Sequence, residues 1–98
     1  MKAPFIPSTM TEVKAMNIAA GYHFFDKSAM RFFRSRVCSG LYKNLCFVTS
    51  EIDWSDNRRY SVRRFCLDDC TIETIGEFHS FPTLAAAREA AKTYKPEN

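Results

Sequence analysis

Apolar and polar positions follow two rhythms along this chain, and each predicts a kind of element. Residues 44–52 (NLCFVTSEI), 59–67 (RYSVRRFCL) and 71–79 (TIETIGEFH) are rich in β-branched and aromatic side chains, with polar clusters at their ends. These segments read as three strands. The intervening 53–58 (DWSDNR) and Asp68-Asp69 read as turns, because an Asp side chain bonds its own backbone there. Apolar residues fall on both faces of the strands: Tyr60 and Val62 oppose Phe65, and Ile72 and Phe78 oppose Ile75. Either a bulge near Arg63–Arg64 restores one buried face, or both faces of the sheet are partly covered.

Two stretches follow the helical rhythm instead. Asp26 or Ser28 is a helix-start residue, and residues 28–37 then place Met30, Phe33 and Val37 on one face, with Gly40 as the stop. After Pro82, Thr83 is the expected N-cap of a last helix. Leu84, Ala87, Ala91 and Tyr94 form its apolar stripe, thin enough to lie close on a sheet, and Pro96 ends it. Residues 1–15 carry two prolines and weak periodicity, and read as an extended arm in which Phe5 and Ile6 could dock. The expectation is a single small α+β domain over 16–98, a three-stranded antiparallel sheet with two helices in the order α-β-β-β-α, behind an arm over 1–15.

Ninety-eight residues with 46% hydrophobic and 26% charged side chains suit one compact core, and exclude collagen-like or low-complexity chains. No apolar run approaches the roughly 18 residues that span a bilayer, so no membrane partner is expected. The first residues lack a basic segment followed by an apolar one, which sets the expectation of a cytoplasmic chain with reduced thiols. Cys38, Cys46, Cys66 and Cys70 lack the paired close spacing of zinc sites, so neither a metal nor another cofactor is expected. His23 and His79 are the imidazoles available to activate a thiol, and no glycine-rich phosphate loop occurs. An enzyme is therefore not expected.

The net charge of +3 is uneven. Residues 31–64 carry eight basic groups against three acids, while 65–98 carry three against six. Seven of those eight are Arg, the residue suited to bidentate phosphate or carboxylate contacts and to stacking. Arginines interleaved with aromatics over 30–36 and 58–65 fit nucleic-acid surfaces and protein-interface hot spots alike. Trp54 and Tyr42, in loops, are free to serve as exposed anchors. The expected partner-binding residues are Arg31, Arg34, Arg36, Trp54, Arg58, Arg59, Tyr60, Arg63 and Arg64, gathered on one outward patch.

Three resemblances add context. The α-β-β-β-α order is similar to double-stranded-RNA-binding domains, whose second helix grips phosphates; Arg88 stands as the basic residue of the matching stretch here. Residues 59–94 resemble the three-stranded arm-binding modules of phage-type integrases, which would put Arg59, Tyr60, Arg63 and Arg64 on a reading strand. The segments FFDKSAMRFFRSRV (24–37), FVTSE (47–51), YSVRRF (60–65) and IETIGEF (72–78) resemble small uncharacterised proteins of phages, prophages and mobile elements. That last resemblance implies an accessory protein in a bacterial host cell, acting stoichiometrically on a host defence or nucleoprotein complex, for example as an anti-CRISPR-type inhibitor. Direct nucleic-acid binding is the alternative, and a homodimer is compatible with either.

Overall fold

A computed structural model of the chain describes residues 6–27, 30, 34–53, 55–76 and 81–95. The described elements are α1 (Met10–Ala19), β1 (Arg36–Val37), β2 (Cys46–Ile52), β3 (Arg58–Cys66), β4 (Thr71–Ile75) and α2 (Leu84–Thr93). The class is α+β as expected, but the antiparallel sheet has four strands among the described residues, in the order β1-β2-β3-β4.

The fourth strand comes from a segment whose spacing predicted a helix through Val37. Arg34 instead adopts a left-handed φ of 51°, and Arg36 and Val37 pair with Ser50 and Thr49 on β2. Residues 28, 29 and 31–33 of that expected helix lie outside the described residues. Pairing with an exposed sheet edge outcompetes a local helical rhythm here because it satisfies backbone groups of both strands at once.

The first helix also corrects an expectation. Residues 10–15, read as part of an extended arm, are the first turns of α1. Thr9 and Glu12 form a capping pair. The Thr9 hydroxyl oxygen accepts the Glu12 N–H, and the Glu12 carboxylate accepts from the Ser8 N–H and from both hydroxyls. These contacts, the Ser8 N–H foremost, hold the Glu12 carboxyl below its ordinary range. At the other end Gly21, with φ of 94°, closes the helix: its N–H reaches the Ile18 carbonyl and that of Tyr22 reaches Asn17. Of the two residues expected to dock, Phe5 lies outside the described residues and Ile6 is exposed.

The pairing of β2 with β3, and of β3 with β4, runs without a bulge at Arg63–Arg64. Both faces are covered, which settles the alternative left open by the sequence. On one face α2 lays Ala87 and Ala91, with Leu84 and Tyr94 beside them, on Cys46, Val48 and Val62. Alanine lets the helix sit close, and the Thr83 hydroxyl caps it by accepting the Ala86 N–H. On the other face Val13 of α1 packs with Leu45 and Phe65, flanked by Met10, Met16 and Ile72. Asn17, buried on the same helix face, donates to the Cys70 carbonyl at 2.7 Å and so ties α1 to the β3–β4 turn.

The turns follow their Asp residues. Asp53 accepts from the N–H groups of Ser55 and Asn57, and Asp69 accepts from the N–H and hydroxyl of Thr71. After β4 the chain returns to the same edge, where Phe81 forms a bridge with Tyr60.

The face under α1 carries a polar layer as well. Glu51 is almost wholly buried, its Oε1 accepting from the Ser61 hydroxyl at 3.2 Å and lying 3.6 Å from an Arg63 Nη. Arg63 also donates to the Thr49 and Thr74 hydroxyls, and its guanidinium stacks over the Phe24 ring. Breaking such a pair from one side is costly, because it leaves a buried charge without its counter-ion. Arg63→Met is expected to lower the unfolding free energy by about 3–5 kcal/mol. Adding Glu51→Leu should recover most of that loss; urea denaturation showing simply additive losses contradicts the pairing.

Burial pushes the Cys46 thiol up to about 11 from 9.0. The folded state therefore resists thiolate formation, so this stabilisation is complete below pH 9 and is lost as pH rises toward 11. Thermal or urea unfolding should show an alkaline decline that is reduced in Cys46→Ala; equal declines in the two proteins contradict it.

Candidate interaction surface

Strand geometry decides where the expected arginines go. Successive residues of a strand face opposite sides, so Arg58 and Arg64 lie on the α2 side of β3, while Arg59 and Arg63 lie on the α1 side. Each is engaged internally. Arg58 donates to the Ser50 hydroxyl at 2.6 Å, and Arg64 donates to the Asn44 carbonyl and pairs with Glu73 at 3.5 Å. Arg63 belongs to the buried Glu51 layer, and Arg59, half-buried, is engaged too.

Beyond the strand, Arg34 pairs with Asp56 at 3.1 Å across the loops. Tyr60 is half-buried in the core under α2. Arg36 is exposed on β1. Arg31 and Trp54 lie outside the described residues. Among the described residues the arginines of β3 do not share one patch: they divide between the two sheet faces and are engaged by Glu51, Glu73 and backbone or hydroxyl oxygens, while Arg34 pairs with Asp56.

A different surface gathers charge. The loop before β2 and the C-terminal end of α2 enclose a groove of about 460 Å³, lined by Tyr42, Lys43, Asn44, Lys92, Tyr94 and Lys95 among others. Asn44 builds it. Its side-chain N–H groups donate to the Ala91 and Tyr94 carbonyls, both at 2.8 Å, satisfying carbonyls that the helix end leaves open. Its Oδ1 accepts the Cys46 N–H at 3.0 Å, which fixes the same amide to the start of β2. Leu45, with φ of 69°, turns the chain there, and the Tyr42 N–H reaches the Cys46 carbonyl.

Tyr42 and Tyr94 are half-buried walls that pack against the core, whereas Lys43, Lys92 and Lys95 are exposed. No carboxylate lines the groove among the described residues. On α2, exposed Arg88 and Lys92 stand about one turn apart, and Arg88 reaches the Cys38 carbonyl at 3.5 Å, while Lys95 lies beyond the helix end, where Tyr94 is already extended.

Of these residues the sequence marked Tyr42, as a free loop aromatic, Tyr94, as part of the apolar stripe of the last helix, and Arg88, as the basic residue of that helix, but not the lysines. Lys92 and Lys95 are close in sequence, but Lys43 lies about fifty positions away, and only the contact made by Asn44 brings it to them.

A second hollow, of about 270 Å³, is lined by Ile18, Tyr22, His23, Phe25, Asp26 and Lys27; it holds an exposed His23–Asp26 contact at 3.7 Å but neither a thiol nor a serine hydroxyl in its lining. The four cysteines are free, and the described residues hold no group of three His, Cys, Asp or Glu side chains that could take a metal ion. No helix among the described residues is long and apolar enough to cross a membrane.

No curated protein and no solved structure matches the chain. The pattern of a family of unknown function, DUF7447, matches residues 9–92, from the cap of α1 to the last turn of α2. The match thus takes in both helices, all four strands and one wall of the basic groove, and the chain belongs to that family.

Proposed function

We propose that this chain is a non-enzymatic binding protein that acts by docking, in stoichiometric amount, on a macromolecular partner. The carrying observation is the groove between the loop before β2 and the end of α2, walled by two tyrosines, rimmed by three lysines and lined by no carboxylate among the described residues. Tyrosine and unpaired surface cations are the material of interface anchors and of electrostatic steering. Among the described residues the most deeply buried charged pair, Glu51 with Arg63, serves the fold.

The resemblance of several sequence segments to small phage and mobile-element proteins supports a finer version of the same reading. In it, the chain is an accessory protein in a bacterial cytoplasm whose partner is a host defence or nucleoprotein complex, and docking inhibits that complex, an anti-CRISPR-type action being one form. The alternative, nucleic acid held on an Arg-rich strand, loses much of its support once Arg58, Arg59, Arg63 and Arg64 divide between the two faces of β3.

Affinity capture with the tagged chain from a lysate of the cells that encode it tests this reading. The expected result is a protein partner retained in fixed stoichiometry after nuclease treatment. Recovery of nucleic acid without protein, with retention that collapses as salt rises, overturns it.

A further inference from the structure

The groove has a charge pattern narrow enough to name the chemistry of its occupant. We infer that it takes a short acidic protein segment, with carboxylates against Lys43, Lys92 and Lys95 and its chain lying between Tyr42 and Tyr94. This inference rests on the binding-protein reading above and specifies its partner.

Three observations favour such a segment. First, the described groove presents cations without competing acids in its lining, and its three lysines form no ion pair among the described residues. Glu89, the acid of α2, lies one turn back and about 60° further round the helix from Lys92. Charge complementarity therefore calls for an anionic occupant.

Second, the basic surface is short. From Arg88 to Lys92 it runs about 6 Å along the helix, with Lys95 just past the helix end, room for a few residues of extended chain. At this same end of the sheet, beyond Arg64, which joins the Asn44 carbonyl to Glu73, stand the exposed Asp68, Asp69 and Glu73. A long polyanion that continued from the groove toward β3 and β4 would meet those acids, which favours a short segment confined to the groove.

Third, both tyrosine rings are wedged against the core rather than standing free. They make walls for a peptide chain and its aliphatic side chains, not open platforms on which a base stacks. The Asn44 amide, by filling the Ala91 and Tyr94 carbonyls, also removes much of the negative character that a helix C-terminus would otherwise show an anion.

Fluorescence anisotropy with a labelled peptide of Glu, Asp and Gly around one central Leu tests the inference, with labelled oligothymidylate measured alongside. The whole chain should bind the peptide at low salt. The triple variant Lys43→Glu, Lys92→Glu, Lys95→Glu should bind it about tenfold or more weakly while keeping the wild-type circular dichroism. Arg34→Glu, remote from the groove, serves as the control and should match wild type.

Absence of peptide binding, equal binding by the triple variant, or tighter binding of the oligothymidylate each overturns the inference. The same triple variant in the capture experiment separates the two levels. If it still retains the protein partner of the wild type, the groove assignment fails and the binding-protein reading stands. If the wild type itself retains no protein, that reading fails.

Discussion

The side chain of Asn44 holds together the parts of this fold that face outward. A helix ends with carbonyls that have no partner within the helix, and α2 ends without a glycine to turn the chain back on them. Asn44 supplies two N–H groups to those carbonyls and one acceptor to the first N–H of β2. One neutral amide thereby sets the position of the helix end, the start of the central strand and the separation of Tyr42 from Tyr94. The left-handed Leu45 beside it is a local cost that this hydrogen bonding offsets. The groove is a consequence of that junction.

The sheet explains the remaining distribution of charge. Its α2 face is built from small and branched apolar residues, whereas its α1 face mixes Phe47 and Phe65 with Thr49, Glu51, Ser61 and Arg63. A buried ion pair adds little net stability compared with apolar packing, but it penalises any register that parts its members. A one-residue slip of β2 against β3 would carry Glu51 to the opposite face from Arg63, so the pair selects the observed register. The arginines that look like a binding motif in one dimension are, in this sheet, devices of folding.

Much of the architecture was legible in the residues. The β-branched runs at 44–52, 59–67 and 71–79 coincide with β2, β3 and β4 to within a residue or two wherever the chain is described. Thr83 and the stripe from Leu84 to Tyr94 behave as their spacing requires. For α1 the signals were present but outweighed: Thr9 and Glu12 make a capping pair and Gly21 a helix stop, yet the prolines at 4 and 7 suggested an extended arm. For β1 no local signal distinguishes strand from helix, since Arg36 and Val37 gain their conformation from Ser50 and Thr49. The site was the least legible part. Period-two alternation scattered the arginines, and Lys43 meets Lys92 and Lys95 only through the tertiary contact that Asn44 makes.

The central claim is that recognition runs through the Asn44 junction rather than through the arginines of β3. Amide hydrogen exchange of the chain, free and bound to its captured partner, tests this most directly. New protection on binding is expected over residues 41–45 and 91–95, with the amides of 58–66 unchanged. Protection concentrated at 34–36 and 58–64, with the groove unaffected, contradicts it.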